Sequence, residues 1–582
     1  MVAAIAATIR LAWLARPEMQ RQVWLTALGF VLVFILYVVG LAGTRYGSFV
    51  ADYLALGGRA SADVYYHWSI TNALRYFEQV AIGIDGLHGI KYYAMVHFIG
   101  ARIADMSGGD SGWTFVLTRA LFVTPLCLAA CTLIALTFDR TESRRPATLA
   151  FLVTLLVFLY ECFGRDFFDS ESHILGLAFF ALLVPTAFYV MTRPLGRNLA
   201  WIAWAALLFC LALTTASKVT TGFVALALLG YVALRAYHKR PLVMLAIWAS
   251  SVTTAYLVYR QVIDSGVIGS LNADIAGNFG IDWRWYYPIL HYSLSALALL
   301  ALLVSARMDG SIWLQFRQGK LPLLEVLGVV LVAATLPALL FPIPAGGGYY
   351  MTHPQMWVAL PILLTIGIPL LARELPAFKR GAWHRSLIAL GIVAAMAAAL
   401  VEHVPDVFME RLAQMFSQAS FVRTDDPSFF ESRKKKAVRD DMKRTFPLLR
   451  TSSYYWPERR PLVMENLVAE LKALRQTHGN SLAAYASPKA QDFWALTDNC
   501  FVSSMMLFGM SAVPLVDGLP PLSTGCAEQQ TVSYGFSTAA RRTSDEPLDD
   551  TALCQLAKSR GFDVVARIEN LGAVDRVVTC AP

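Results

Sequence analysis

Several ionisable side chains stand at the borders of long apolar segments in this chain. Asp63 opens the stretch ADVYYHWSITNALRYFE after the first apolar segment, Lys218 follows the apolar run 199–217, and Arg119 lies inside the run 113–138. A partly desolvated carboxylate can act as a general base. A lysine or arginine at the same depth can stabilise negative charge that develops on oxygen. Ionisable groups at membrane depth are costly, so they are usually functional or paired.

More polar residues are expected at the same membrane face. The segment GRDFFDSESH contains Asp169 and Glu171, and the segment GGGYYMTHPQ contains Tyr349, Tyr350 and His353. Each of these residues also has an ordinary explanation. A carboxylate such as Asp63, Asp169 or Glu171 can cap a helix, a lysine can extend to the interface, and an arginine can pair with a structural carboxylate.

The composition predicts a polytopic membrane protein. Of 582 residues, 56% are hydrophobic and only 15% are charged, and segments of about 18 or more apolar residues can cross a bilayer as helices. Eleven segments meet this criterion: 23–43, 113–138, 147–163, 173–192, 199–217, 220–237, 242–262, 288–306, 322–341, 356–372 and 386–403. The first is too long for the apolar part of a cleaved signal peptide, so we interpret it as an anchor.

Basic residues predict the topology. They precede the first span and follow the second, fourth, sixth, eighth and tenth spans, which puts every cluster on one side. The positive-inside rule then predicts a cytoplasmic N-terminus and an extracytoplasmic C-terminus. We therefore expect a multi-pass protein of the bacterial inner membrane whose C-terminal region is periplasmic, and its net charge of +8 does not indicate nucleic acid as a partner.

Four cysteines lie in the region that this topology places outside the cytoplasm: Cys500, Cys526, Cys554 and Cys580. An even number of cysteines in an oxidising compartment predicts two disulfides, and four cysteines allow three pairings. The alternative is four reduced, buried thiols.

Two large outer regions are expected. Residues 44–112 form an outer loop with surface helices, of which the first carries Tyr66, Ile70, Ala73 and Phe77 on one apolar face that can lie in the membrane interface. Residues 404–582 alternate between short strands, SLAAYASP and DVVARIE, and the helix DTALCQLAKSRGF, which Gly561 closes. The predicted domains are a transmembrane domain, 1–403, that includes the loop 44–112, and an extracytoplasmic α/β domain, 404–582.

The order of these motifs resembles the GT-C family of membrane glycosyltransferases, especially the branch of aminoarabinose transferases and protein O-mannosyltransferases. Similar motifs are an acid after the first span (Asp63), a glycine turn followed by lysine (Gly86 and Lys91), an arginine early in the second span, an acid before the fourth, and SKVTTG after the fifth. The resemblance covers residues 20–240 well and 241–403 loosely. It departs at Val64, where the family often has a second acid, and at Tyr92 and Val219, which replace Pro and Gly.

The resemblance implies a GT-C-like fold for the roughly eleven predicted transmembrane helices, and an inverting transfer of a sugar from a polyprenyl-phosphate donor to an extracytoplasmic acceptor. Asp63 would be the general base. Lys218, Lys91 and Arg119 would bind the phosphate, Asp169 or Glu171 would orient the acceptor, and Tyr349, Tyr350 and His353 would line the sugar pocket. No cofactor is required by this chemistry. The missing second acid at Val64 weakens the case for a divalent metal, and the metal requirement stays open.

Two other functions fit a polytopic chain. A transporter or flippase subunit would carry polar residues near the middle of the bilayer, whereas most polar residues here are expected at one face. Glu325, near the cytoplasmic end of a span, is the main exception. A scaffold would act through its outer domain alone. Convergence of Asp63, Lys91, Asp169 and Lys218 on one outward cavity would favour the transferase.

Overall fold

The computed structural model describes residues 62–118, 122–138, 171–262, 286–308, 310–340, 347–367, 370, 464–494, 500–522 and 544–580. The chain divides into two compact units. The first comprises Met1–Val38 and Phe122–Val407, and the second comprises Val39–Leu121 and Phe408–Pro582.

Helices dominate the described residues. In chain order they are α1 (Ala62–Phe77), α2 (Met95–Ser107), α3 (Ser111–Thr118), α4 (Thr124–Phe138), α5 (Glu171–Thr192), α6 (Arg197–Ser217), α7 (Val219–Tyr237), α8 (Pro241–Val262), α9 (Tyr286–Met308), α10 (Ile312–Arg317), α11 (Pro322–Leu340), α12 (Gly347–Ile362), α13 (Glu465–His478), α14 (Gln491–Trp494), α15 (Cys500–Ser511) and α16 (Asp550–Ser559). The strands are β1 (Leu482–Ala486), β2 (Val564–Ile568) and β3 (Arg576–Thr579).

Among the residues that the structure describes, four helices of the first unit, α5 to α8, are long and apolar enough to cross a membrane. They begin and end within two residues of the predicted spans, because continuous apolar runs flanked by charge leave little choice of register. The predicted spans 23–43, 147–163 and 386–403 lie outside the described residues. The run 113–138 contains two helices, α3 and α4. The total of eleven spans stays a prediction.

Helix α5 lies at the centre of the first unit and packs against α4, α6, α7 and α12. Its apolar residues are buried almost throughout, whereas α8 is mostly exposed and presents Leu242, Leu245 and Leu257 at its surface. A helix that is this apolar and this exposed is suited to contact with lipid.

Basic residues collect at one end of the first unit, which we name the basic end. Trp204 near the start of α6 donates a hydrogen bond to Tyr237 at the end of α7, over 3.1 Å. Arg235 of α7 pairs with Glu325 of α11 at 2.9 Å. The turns between α5 and α6, between α7 and α8, and between α9 and α11 therefore lie at this end. Its exposed cations are Arg193, Arg197, Lys239, Arg240, Arg307, Arg317 and Lys320.

The second unit contains a three-stranded sheet in the order β1-β2-β3. β1 and β2 are parallel, and β3 is antiparallel to β2. Helix α16 packs on this sheet through Leu553 and Ala557, which are buried with Tyr485, Phe562 and Val565. Both predicted strands and the helix before Gly561 are present at the expected residues.

A disulfide joins Cys554 of α16 to Cys580 at the end of β3, with 5.2 Å between the Cα atoms. These are two of the four predicted cysteines. Cys526 lies outside the described residues, and only the backbone of Cys500 is described. A second disulfide therefore stays a prediction.

Helix α1 is covered by protein, which corrects the prediction that its apolar face lies in the membrane interface. Tyr66, Ile70 and Ala73 are buried. Asn72 donates hydrogen bonds of 3.0 and 2.7 Å to the carbonyls of Phe508 and Gly509 in α15. The face was misassigned because its partner, α15, lies more than 400 residues further along the chain.

The compact units group the outer loop with the C-terminal region. Residues 44–112 belong to the second unit, together with residues 408–582. The predicted boundary at residue 403 lies outside the described residues and stays a prediction.

Candidate functional site

In the first unit, two buried histidines meet at the end of the helices that is opposite the basic end. His173 lies in the first turn of α5 and His353 in the second turn of α12. Their rings are 4.8 Å apart between centroids and edge to face, and their exposures are 0% and 2%. Imidazoles in such a dry environment need polar contacts, and their ring nitrogens can donate hydrogen bonds to an anion.

Lys218 lies beside the second turn of α5. It is the extended residue between α6 and α7. A Cβ atom on Gly176 would come within 3.1 Å of the Lys218 Cβ atom, so α5 and Lys218 approach closely because residue 176 is glycine. Since Gly176 is three residues after His173, Lys218 and His353 both lie against the first two turns of α5.

Gly222 fixes the other side of this turn. A Cβ atom there would lie 2.8 Å from the Thr215 Cα atom, a contact that real side chains do not make. The backbones on either side of Lys218 therefore approach through Gly222, as small residues allow at helix contacts in membranes.

Several predicted residues are placed only by their backbone. Glu171 begins α5, and Tyr349 and Tyr350 lie in the first turn of α12. These positions belong to the same end of the first unit as Lys218 and His353. Asp169 and Arg119 lie outside the described residues.

In the second unit, Asp63 lies in the first described turn of α1, and its side chain is outside the described part. Because Ala62 is already helical, Asp63 is a residue of the helix and not its cap. His67 follows one turn later and therefore lies on the same face of α1.

His67 forms a buried pair with His97 of α2. The His67 Nδ1 and His97 Nε2 atoms are 2.8 Å apart, and the two rings stack with centroids 5.0 Å apart. One nitrogen donates and the other accepts, so the pair shares one proton. Tyr92, next to Lys91, contacts both rings.

Lys91 is exposed and follows a loop that the C-terminal region holds in place. Gly86 donates a backbone hydrogen bond to Leu515 over 2.6 Å, and Leu515 donates one to Gly83 over 2.8 Å. Gly86 has a φ of +60°, which glycine adopts without strain. The position of Lys91 thus depends on contacts of this loop with residues more than 400 positions away.

Asp85 in the same loop is mostly buried against α16. Arg560 donates to both carboxylate oxygens of Asp85, at 3.0 and 3.1 Å. Burial raises the pKa of Asp85 above its ordinary value of 3.8, while the charges of Arg560 and His88 lower it. The net pKa is raised because desolvation is the larger effect.

Among the residues that the structure describes, no three His, Cys, Asp or Glu side chains are grouped so as to hold a metal ion. The histidines that lie together in the described residues form two pairs, His67 with His97 and His173 with His353. The metal requirement therefore stays open, as the sequence left it.

The histidines 67, 97 and 173 were not among the predicted site residues. A signal was present for His67, which is four residues after Asp63, and for His173, which follows Glu171 by two. The pairing with His97 and His353 could not be read from the sequence, because it depends on helix packing.

No protein-family model matches the chain, and no curated protein does. Solved structures of an oligosaccharyltransferase from Archaeoglobus fulgidus overlap with it in part. The apo form is 12% identical to this chain, with a TM-score of 0.42. The match covers 92% of this chain and 69% of the transferase chain. Two complexes, one with an inhibitory peptide and a dolichol-phosphate and one with a tethered acceptor peptide, have the same identity and TM-score. A similarity of this size assigns neither an activity nor a substrate.

Proposed function

We propose that this chain is an inverting glycosyltransferase that moves a sugar from a polyprenyl-phosphate carrier to an extracytoplasmic hydroxyl. The observation that carries the proposal is the group of nitrogen donors, Lys218, His173 and His353, around the first two turns of α5. They lie at the end of a bundle of membrane-length helices, opposite the basic end. A phosphate on a lipid tail is an anion that would reach this depth.

The phosphate step needs positive charge and hydrogen-bond donors. As the bond between the sugar C1 and the phosphate oxygen breaks, its electron pair leaves with the phosphate. A cationic Lys218 and donating imidazoles of His173 and His353 stabilise that charge. Lys91 and Arg119 are the further proposed phosphate ligands, and Tyr349 and Tyr350 are proposed to face the sugar.

The acceptor step needs a base. The acceptor oxygen forms a bond to C1 from the side opposite the phosphate, which inverts the configuration, and its proton passes to a carboxylate. We assign this proton to Asp63. Asp169 or Glu171 is proposed to orient the acceptor, which is a glycan, lipid or protein hydroxyl in the periplasm.

The transporter alternative loses its main sequence argument. Glu325 accepts hydrogen bonds from Tyr231 at 2.8 Å and from Arg235 at 2.9 Å. These contacts tie α7 to α11, so Glu325 has a structural role in the bundle and does not require a transported ion.

The test is transfer of labelled sugar from a panel of polyprenyl phosphates by the purified full chain. Asp63→Asn should fold normally and lower the transfer rate by roughly 10²-fold or more, the usual contribution of such a base. Asp492→Asn, which changes an exposed carboxylate of the same unit, is the matched control. Full transfer by Asp63→Asn would move the base to Asp169 or Glu171.

A second variant tests the phosphate step. Lys218→Met keeps the apolar stem and removes the charge, so it should weaken donor binding and transfer together. Lys239→Met removes an exposed lysine at the basic end and should change neither. Unchanged donor affinity in Lys218→Met would contradict the phosphate role of Lys218, and transfer that survives neutralisation of Asp63, Asp169 and Glu171 would contradict a carboxylate base among these three residues. Absence of transfer by the natural chain from every donor of the panel would contradict the transferase.

A further inference from the structure

The turn between α9 and α11 presents aromatic and basic side chains together. Helix α10, Ile312–Arg317, exposes Trp313, Leu314 and Phe316 by 63%, 55% and 47%. Trp313 and Phe316 stack with centroids 6.4 Å apart, and the Arg317 guanidinium lies 4.8 Å from the Trp313 ring centroid. Spacings of three and four residues put these three side chains on one face of the helix. We name the exposed surface formed by Trp313, Phe316, Arg317 and Lys320 the aromatic-basic patch.

Neighbouring helices hold this turn in a fixed position. The Gln315 side chain donates to the Ala306 carbonyl of α9 over 2.7 Å, and Arg235 of α7 donates to the Gly319 carbonyl over 3.0 Å. Lys320 donates a backbone hydrogen bond to Gln315 over 2.9 Å. The aromatic rings are therefore presented outward by a constrained turn.

Among the described residues, the exposed charges around the patch are of one sign. Seven lysines and arginines of the described part of the basic end are exposed, and Glu325, the described carboxylate of that end, is buried and paired with Arg235. Aromatic rings next to exposed cations, at the end of membrane-length helices, match the chemistry of a lipid headgroup layer that contains anions.

We propose that the aromatic-basic patch binds anionic phospholipid headgroups in the adjacent leaflet. Trp313 and Phe316 insert at the level where chains meet headgroups, and Arg317 and Lys320 contact the phosphate of the lipid. This interaction is separate from sugar transfer and does not depend on the proposed function.

The test uses the full chain in nanodiscs of a neutral phosphatidylcholine with a small fraction of brominated lipid, which quenches tryptophan on contact. The signal of Trp313 is the difference between the natural chain and Trp313→Phe, which keeps an aromatic ring. At low salt, brominated phosphatidylglycerol should quench Trp313 more strongly than brominated phosphatidylcholine at the same mole fraction. Because salt screens exposed charges, high salt should reduce this preference.

The double variant Arg317→Gln with Lys320→Gln should lower the preference by up to about thirtyfold, or about fivefold for each charge removed. The matched control, Arg193→Gln with Arg197→Gln, removes two exposed arginines of the turn between α5 and α6, which lies outside the patch, and should keep the preference at Trp313. Equal quenching by both lipids, or a preference that the double variant leaves unchanged, would overturn the proposal. Excess inorganic phosphate at constant ionic strength should not compete. If it abolishes the preference, the patch is a phosphate site and the lipid assignment is wrong.

Discussion

Asp85 shows how burial and charge act against each other at a single residue. Its pKa in the folded chain is raised above 3.8 by desolvation, despite Arg560. For a raised pKa, the stabilising contribution is present below the unfolded value and is lost as the pH rises through the folded value. We expect the thermal midpoint of the natural chain to fall as the pH rises through that interval, and Asp85→Asn to reduce the fall.

The comparison for Asp85 is Asp492→Asn, which should leave the pH profile of the midpoint unchanged because Asp492 is exposed. Identical profiles for Asp85→Asn and the natural chain would show that Arg560 fully compensates the burial of the carboxylate.

The pair of His67 and His97 makes a second prediction at the scale of residues. His97→Gln keeps an amide near the position of Nε2, so His67 Nδ1 retains a hydrogen-bond partner and stability should change little. His97→Phe keeps a ring and removes the hydrogen bond between the two buried imidazoles, which should cost about 0.5–1.5 kcal/mol. Denaturant unfolding of the full chain measures both. Equal losses for the two variants would assign the effect to ring packing and not to the shared proton.

At the scale of residues, the sequence predicts some site residues but not the contacts between them. Residue type and position at span ends predict Lys218 and His353 as site residues, and the structure places both beside α5. The approach of Gly176 to Lys218, and the partners of His67 and His173, depend on which helix faces meet. Local patterns do not encode those contacts, because each residue type is ordinary in its own segment.

At the scale of elements, apolar runs predicted α5 to α8 to within two residues, because length and hydropathy alone define a membrane-length helix. The same reasoning misplaced α1. The helix is amphipathic whether its apolar face covers lipid or α15, and the sequence around Tyr66 and Ile70 does not distinguish lipid from a protein partner.

Gly319 tests how α7, α10 and α11 are held together. Its φ is +65°, and an added Cβ atom would overlap the Arg235 guanidinium. Gly319→Ala should therefore displace the Arg235 guanidinium and weaken its pair with Glu325, in addition to straining the backbone at a positive φ, at a total cost of about 1–3 kcal/mol in the free energy of unfolding. Gly108→Ala, where φ is +66° but a Cβ atom meets open space, is the control and should cost only the backbone strain. Similar stability of the two variants would mean that Arg235 and Glu325 do not tie these helices together.

At the scale of the whole molecule, the cross-link between α16 and β3 closes the C-terminal part of the second unit. Cys554 and Cys580 are 26 residues apart, and a disulfide that closes a loop of this length stabilises by about 3 kcal/mol. Replacing both cysteines by serine should lower the unfolding free energy of the full chain by about that amount. Replacing the buried, reduced Cys127 by serine is the control for the loss of a thiol. An unchanged free energy of unfolding in the double variant would show that the disulfide is dispensable for stability.

The last prediction concerns which side of the membrane each end of the molecule faces. The basic end should be cytoplasmic by the positive-inside rule. The second unit, which carries the disulfide, should lie in the oxidising periplasm. A phosphatase that is active only in the periplasm should be active when fused after residue 582 and inactive when fused within the turn at Gly310. A fluorescent protein that matures only in the cytoplasm should give the opposite pattern at both positions. Because a polyprenyl-phosphate donor and an outer acceptor must meet Asp63 on the periplasmic side, the reverse pattern would end the proposed function. It would leave the preference of the aromatic-basic patch for anionic lipid to be judged by quenching alone.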